Sequence, residues 1–138
     1  MIEKIWNSNN FLNSLIQPIS IFYYLVIKIY RIFKKEKNCN VPILCVGNIT
    51  IGGAGKTPTV IKIRQILSNH FKNIFVLTRG YKGVKKGPLI VKRTSTIFEV
   101  GDESLLHFEY GPTCVSKNKY LGAKLCESNG CNLIIMDD

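Results

Sequence analysis

A chain of 138 residues is long enough for one domain with a hydrophobic core and too short for two. Apolar residues make up 46% of it, which excludes an intrinsically disordered chain. The 19 Lys and Arg residues outnumber the 9 Asp and Glu residues, giving a formal net charge of +10. This charge favours an anionic partner such as nucleic acid, a phosphate ester or an acidic membrane surface, unless the lysines only form a solvated surface. The five cysteines form no CxxC pair, so the sequence predicts no zinc site and indicates reduced thiols of the cytosol.

Residues 1–40 predict a membrane-associating helix followed by a polar linker. The stretch from Phe11 to Phe33 is almost wholly apolar, yet polar residues recur along it at helical spacing, on one face of an α-helix. Its main apolar run, from Ile19 to Ile27, ends at Lys28, whereas a spanning helix needs roughly 20 residues nearly free of charge. We therefore predict an interfacial amphipathic helix; a membrane span and a helix buried against its own domain are the alternatives. Anionic head groups would meet its basic cluster of Arg31, Lys34, Lys35 and Lys37.

From residue 41 to residue 138 the pattern is that of an α/β core. The apolar run Val41–Val46 is typical of a strand buried on both faces of a parallel sheet, and helical spacing follows from Thr57 to Leu67. Further strands are predicted at 74–77, 89–91, 113–115 and 133–136, with a helix at 117–127. Strands that alternate with helices imply a parallel sheet flanked by helices on both faces.

The strongest motif lies between the first strand and the first helix of this core, which is the context that a P-loop requires. In such a loop, backbone N–H groups hold phosphate oxygens, the lysine neutralises the β- and γ-phosphates, and the hydroxyl residue binds Mg²⁺. Lys56 and Thr57 would have those two roles, and Thr50 stands where the motif usually has its first glycine. The loop itself consists of Gly52, Gly53, Ala54, Gly55, Lys56 and Thr57.

A second motif ends the chain. Four apolar residues, 133–136, precede Asp137 and Asp138, as in a Walker-B-like strand whose carboxylate reaches the Mg²⁺ held by Thr57. Apolar strands often end in Asp, so this motif gains its weight from the P-loop upstream. Together the two motifs predict a site for ATP and Mg²⁺.

Four other polar residues have side chains that could carry chemistry. Asp102 precedes an apolar pair at an apparent helix start, so it is either a helix cap, which spacing alone favours, or a base for a substrate hydroxyl. Arg79 directly follows a strand, where ligands of open α/β sheets bind, and would meet a phosphate. His70 and His107 have no carboxylate or Cys at metal or triad spacing, so we predict that both are structural.

Blocks along nearly the whole chain resemble the tetraacyldisaccharide 4'-kinases, the lipid A 4'-kinases of Gram-negative bacteria. In order, the blocks are MIEKIW, VGNITIGGAGKTP, TRGYKG, VGDES, VSKNK and IIMDD. The family carries Thr at the first P-loop position, which accounts for Thr50. The resemblance implies transfer of the ATP γ-phosphate to the 4'-hydroxyl of tetraacyldisaccharide 1-phosphate by a peripheral protein. The reaction would take place on the anionic surface of the cytoplasmic face of the bacterial inner membrane.

The same resemblance assigns roles to individual residues. It makes Asp102 the catalytic base, gives Lys56 and Thr57 to ATP and Mg²⁺, and gives Asp137 and Asp138 to the metal site. Lys119 stands where the family usually has Arg, and a lysine offers a phosphate only a point charge in place of a bidentate fork. The family sequence continues beyond the Asp-Asp pair and includes a His that partners the base. We therefore expect this chain to represent the N-terminal part of the kinase, with impaired turnover.

Three other functions compete with that of a kinase. A non-catalytic, membrane-associated remnant of the same kinase would share every motif. A chromosome-partition or division-positioning ATPase would carry Lys before the Gly-Gly pair, where this chain has Ile51. A nucleic-acid binder would place exposed aromatic residues on a basic stripe, whereas here they concentrate in the N-terminal helix and favour lipid. We predict no nucleic-acid partner and infer no protein partner.

Overall fold

A computed structural model describes residues 11–33, 37–47 and 55–138. The chain divides into two compact units, residues 1–37 and residues 38–138. The first unit contains helix α1 (Phe11–Phe33), which has no acidic residue in its first turn and Arg31 in its last. A cation at that end complements the helix dipole. A helix is present in this segment, while its amphipathic character and its association with a membrane stay predictions.

Many large apolar side chains of α1 are exposed to solvent. Phe22 and Tyr24, for example, are 71% and 66% exposed. Within the described ranges, no helix combines the length and the apolar character needed to cross a bilayer. Of the predicted basic cluster, Lys34 and Lys35 lie outside the described residues.

The second unit is a five-stranded sheet with helices on both faces. Its strands lie in the order β1-β5-β2-β4-β3; β1, β5, β2 and β4 run parallel, and β3 runs antiparallel to β4. The α/β class is confirmed, while the prediction of a wholly parallel sheet is wrong at this edge. The elements are β1 (Ile43–Val46), α2 (Lys56–Leu67), β2 (Ile74–Thr78), β3 (Leu89–Ile90), α3 (Ile97–Val100), α4 (Asp102–Glu109), β4 (Thr113–Val115), α5 (Lys119–Ser128) and β5 (Leu133–Asp137).

The antiparallel edge has a simple cause in the connection that leads to it. Residues 79–88 join β2 to β3 without a helix. A parallel neighbour needs a crossover that carries the chain back to the start of the sheet, whereas a direct return makes the next strand antiparallel. The sequence pattern of β3 gives no sign of its direction.

Two predicted details also need correction. The run Val41–Val46 was expected to be buried on both faces, yet β1 is an edge strand of the described sheet, and Ile43 and Leu44 are 39% and 38% exposed. The helix predicted from residue 117 begins at Lys119, because the side chain of Asn118 caps it by accepting a hydrogen bond from Leu121 N at 3.2 Å. Lys117 instead donates its backbone N–H to Lys86 O at 2.9 Å.

The core lies on both faces of the central strands β2 and β5. All five residues of β2 are buried, and alternate side chains along it point to opposite faces. On one face, Val76 and Ile135 pack with Val60 of α2. On the other, Leu77 and Ile134 pack with residues of α5 that include Cys126. This packing fixes the carboxyl ends of β2 and β5 beside the start of α2.

Candidate active site

A cavity of about 600 Å³ opens where β2 and β5 end and α2 begins. Ligands of open α/β sheets bind at this edge because the chain turns away from the sheet there and leaves a crevice. Six residues predicted as P-loop, metal or phosphate residues come together around it. The full lining is Gly55, Lys56, Thr57, Pro58, Thr78, Arg79, Tyr81, Glu103, Asp137 and Asp138.

Gly55 lies at the junction between the P-loop and helix α2, as the N-cap of the helix. Its φ of 70° is left-handed, a conformation that glycine adopts without the steric cost of a Cβ. As the N-cap, Gly55 has no side chain to bond the first N–H groups of the helix, so these groups are available to an anion. The remaining predicted loop residues, Thr50, Gly52, Gly53 and Ala54, lie outside the described ranges.

Asp138 lies among the three cations that the sequence predicted to contact phosphates. Lys56 Nζ donates to the Asp138 carbonyl oxygen at 2.7 Å. The Asp138 carboxylate oxygen Oδ1 lies 3.1 Å from Arg79 Nε and 3.3 Å from Lys119 Nζ. The Arg79 and Asp138 side chains are 67% and 48% exposed, and ion pairs so exposed contribute only about 0–1 kcal/mol. A phosphate group can therefore displace this carboxylate from Arg79 at little cost, whereas the Lys119 side chain is only 23% exposed.

Asp137 is placed quite differently from Asp138. It ends β5 and lines the cavity, yet its side chain is only 6% exposed. Its Oδ2 lies 2.8 Å from Nε2 of His107, whose side chain is fully buried. An ionised carboxylate can only accept, so Nε2 carries the proton and donates it. The structure thus separates the two predicted metal carboxylates into a buried, braced one and an exposed one.

Sequence reasoning assigned His107 no partner because its carboxylate is thirty residues away along the chain. Helix α4 packs against β4 and α2, and in that position His107 reaches Asp137 at the end of β5. One signal in the sequence pointed to this contact. A carboxylate that ends a buried strand needs a hydrogen-bond donor, and His107 is a possible donor on the helix that the sequence predicts to start near Asp102.

Asp102 is exposed and is the first residue of α4, where its charge suits the helix dipole; the N-cap is Gly101, so the prediction of a cap at Asp102 is wrong by one residue. Its Oδ1 accepts a hydrogen bond from Glu103 N at 3.0 Å. Glu103, which the sequence analysis left without a role, lines the cavity, and Asp102 does not. The two neighbouring carboxylates at one helix N-terminus place Asp102 next to the cavity wall.

A second cavity, of about 440 Å³, shares Arg79 and Tyr81 with the first. Lys82 and Lys117 add two further cations to its lining, and Lys82 Nζ lies 5.6 Å from the centre of the Tyr81 ring. Gly80 and Gly83 complete the wall. A cavity with three cations and one aromatic ring is suited to a phosphate attached to a sugar.

The residues present fit Mg²⁺ chemically. Magnesium is held in nucleotide sites by one or two carboxylates together with substrate phosphates and water, at oxygen atoms only. Thr57, Asp137 and Asp138 supply such oxygens around one cavity. Across the described part of the chain, no group of three His, Cys, Asp or Glu side chains could hold a metal ion by itself. A metal here would therefore depend on the nucleotide for part of its coordination.

Residues 12–138 match the model of a protein family described as LpxK, tetraacyldisaccharide-1-P 4'-kinase. The chain belongs to this family. Among its curated relatives, proteins named tetraacyldisaccharide 4'-kinase, the one from Methylorubrum extorquens (strain PA1) is 45% identical over 98 residues, which are 70% of this chain and 30% of the relative. The relative from Bartonella tribocorum is 38% identical over 96% of this chain and 38% of its own length. The one from Wigglesworthia glossinidia brevipalpis is 38% identical over all of this chain and 40% of its own length.

One solved structure shares the fold. It is described as the "apo" form of LpxK from Aquifex aeolicus in complex with ATP at 2.2 Å resolution, and it superposes with a TM-score of 0.70 at 30% sequence identity. The match covers 91% of this chain and 43% of that one. This chain spans 30–40% of the length of the three curated relatives. The match to the family model confirms the family resemblance that the motifs indicated.

Proposed function

We propose that this chain forms the nucleotide-binding part of a kinase that transfers the ATP γ-phosphate to the 4'-hydroxyl of tetraacyldisaccharide 1-phosphate. The observation that supports this most directly is the convergence of Lys56, Thr57 and the Asp137-Asp138 pair on one cavity, at the N-terminus of α2. The names of the family and its relatives supply the acceptor. The ATP of the Aquifex aeolicus structure supplies the donor.

The nucleotide would occupy the larger cavity. Its phosphates accept hydrogen bonds from the first N–H groups of α2, which Gly55 leaves uncapped, and from the ammonium of Lys56. Mg²⁺ held by Thr57 and Asp137, with Asp138 beside them, would neutralise charge on the β- and γ-phosphates. Arg79, which lines this cavity, and Lys119, which lines neither cavity but pairs with the Asp138 carboxylate, would supply further positive charge for the transferred group.

Asp102 would act as the base. A phosphoryl group in transfer carries little covalent bonding, so the protein contributes position and charge, and one carboxylate accepts the proton of the attacking hydroxyl. Asp102 is exposed at the helix start while its neighbour Glu103 lines the nucleotide cavity. The acceptor hydroxyl can then approach Asp102 from solvent and meet the phosphate beside Glu103.

The smaller cavity would hold the phosphorylated sugar end of the acceptor. Its cations Arg79, Lys82 and Lys117 match a phosphate, and the Tyr81 ring offers a flat face to a sugar. The two cavities share Arg79 and Tyr81, so donor and acceptor would lie on either side of the same two residues.

Helix α1 would keep the chain on the acyl-bearing membrane surface. Its exposed aromatic and aliphatic side chains suit the interface between head groups and acyl chains, and Lys28 and Arg31 suit anionic lipids. We place the chain at the cytoplasmic face of the inner membrane, where ATP is present.

The test is transfer of radioactive γ-phosphate from ATP to purified tetraacyldisaccharide 1-phosphate in mixed micelles. The assay compares the chain alone with the chain extended to the length of its curated relatives. Phosphate incorporated at the 4'-position by at least one of the two forms is the expected result. Absence of transfer by both forms, with correct folding shown by circular dichroism, would overturn the proposed function. If the short form binds ATP but does not transfer phosphate, and the extended form does transfer it, the residues needed for transfer lie partly in the added segment.

A further inference from the structure

His107, which forms a buried pair with Asp137, has no role in the proposed chemistry. Nε2 and Oδ2 are 2.8 Å apart, and the two side chains are 0% and 6% exposed. His107 lies on α4, the helix that begins with the proposed base, and Asp137 ends β5 at the cavity. The pair therefore links the element that carries the base to the element that carries the metal ligand.

We propose that His107 is a positioning residue that holds the Asp137 carboxylate in the orientation that binds Mg²⁺. This inference rests on the proposed metal role of Asp137. Donation from His107 Nε2 occupies Oδ2, which leaves Oδ1 as the oxygen for the cation. A carboxylate braced in this way does not have to give up rotational freedom when the cation binds, because its orientation is already fixed.

The surroundings of the pair favour this role over one of packing alone. A buried histidine with only a packing role would find apolar neighbours, and an apolar side chain of similar size would serve there without the cost of burying polar atoms. Here Nε2 of the imidazole donates a hydrogen bond to Asp137, whose carboxylate lines the cavity. The other ring nitrogen, Nδ1, is buried with no hydrogen-bond partner among the described residues. The contact to Asp137 is thus the interaction that accounts for a polar ring at this position.

The test measures how strongly Mg²⁺ improves nucleotide binding, which a purely structural role would not change. A fluorescent ATP analogue is titrated into the chain with Mg²⁺ and with EDTA, and the ratio of the two dissociation constants is the readout. Loss of partners of metal ligands lowers metal affinity about 10- to 100-fold, so His107→Leu should lower the ratio by that factor. His107→Gln keeps an N–H donor and should retain the ratio within about threefold of wild type.

Ser104→Ala is the matched control. Ser104 is buried on the same helix and its Oγ has no hydrogen-bond partner in the described structure, so its removal alters α4 without touching Asp137. Asp137→Asn tests the metal role itself and should bring the ratio close to one. Thermal unfolding of each variant records its stability separately from the ratio.

The outcomes distinguish the two proposals. A wild-type ratio near one, or a normal ratio in Asp137→Asn, would overturn the proposed metal role and this inference with it. Loss of the ratio in Asp137→Asn with a normal ratio in His107→Leu would overturn the role of His107 alone. If His107→Leu does not fold, His107→Met, which also lacks an N–H donor, takes its place. A lowered ratio in His107→Met together with a wild-type ratio in His107→Gln supports the inference, and a wild-type ratio in His107→Met contradicts it.

Discussion

Gly101 packs directly against the carbonyl oxygen of Tyr81, so closely that a Cβ at residue 101 would overlap that oxygen. The φ and ψ of Gly101 are 85° and 155°, a region that is essentially restricted to glycine. This contact sets the start of α4, and with it Asp102, against the loop that carries Arg79 and Tyr81. Because residue 101 is a glycine, the backbone next to the proposed base can lie this close to the loop that lines the proposed acceptor cavity.

Gly101→Ala should therefore destabilise the fold more than an alanine at another left-handed glycine. Gly130, with φ of 73°, is the matched control, because a Cβ there would meet only Asn73 Nδ2, at 3.8 Å. The conformation alone costs Gly130→Ala roughly 1–2 kcal/mol. The added overlap should cost Gly101→Ala about 2 kcal/mol more, as for other overpacked sites. Urea unfolding of both variants measures the difference in their free energies of unfolding. Equal free energies would show that the backbone around Tyr81 moves to accommodate the added Cβ at little cost.

Lys56→Ala should weaken ATP binding about 10- to 100-fold. A hydrogen bond to a charged group contributes about 1.5–3 kcal/mol, and Lys56 is the cavity lysine at the start of α2. Lys62→Ala is the control, since Lys62 is exposed on the same helix and lines neither cavity. Isothermal titration calorimetry with ATP and Mg²⁺ gives the affinities. The same affinity for both variants would contradict the phosphate role of Lys56.

Asp102→Asn should lower kcat about 10²- to 10⁴-fold, the range expected for loss of a general base. Asn can accept the same hydrogen bond from Glu103 N and loses only the charge that suits the helix dipole, about 0.3–1 kcal/mol, so the substitution removes the base with little effect on the helix start. Phosphate transfer is measured in the form of the chain that turns over, and ATP affinity should stay within about twofold of wild type. Glu109→Gln, at the other end of α4, serves as the control. An unchanged kcat would show that Asp102 is not the base and only stabilises the start of the helix.

Lys117→Ala should raise KM for tetraacyldisaccharide 1-phosphate about tenfold and leave the affinity for ATP unchanged. Lys117 lines only the smaller cavity, and its backbone bond to Lys86 O does not depend on its side chain. The reason is loss of one charge-assisted contact to the acceptor phosphate. Exposed Lys92, which lines neither cavity, provides Lys92→Ala as the control. An acceptor without its 1-phosphate should not distinguish Lys117→Ala from wild type; if it does, the cavity does not bind that phosphate.

Replacing Lys28 and Arg31 together with Ala should weaken binding to anionic vesicles about tenfold or more. Each basic residue near such a surface contributes about 1 kcal/mol, and both are exposed on α1. Co-sedimentation with phosphatidylglycerol-containing vesicles measures the partition coefficient, and Lys72→Ala, at an exposed position of the second unit, is the control. Vesicles of neutral lipid should bind both variants alike. Equal binding to anionic vesicles would leave the net charge of the chain, and not α1, as the cause of membrane attraction.

Features that depend on spacing along the chain could be predicted from the amino-acid sequence. The P-loop lies between a strand and a helix, Asp137 ends an apolar strand, and Asp102 begins a helix, because each of these follows from neighbouring residues. The family followed from the same ordered motifs. Strands 74–77, 113–115 and 133–136 were predicted within a residue of their bounds, since buried strands need short apolar runs.

The contacts between residues far apart in the chain could not be predicted and come from the folded structure. It brought His107 to Asp137, placed Asp138 between Arg79 and Lys119, and reversed β3 at the edge of the sheet. It also divided two adjacent acids, so that one is braced in the core and the other faces solvent. Such contacts depend on how helices pack on the sheet and on the path of each connection, and packing is settled by the whole set of buried side chains. A local pattern therefore names the residues of this site, and the fold determines their partners.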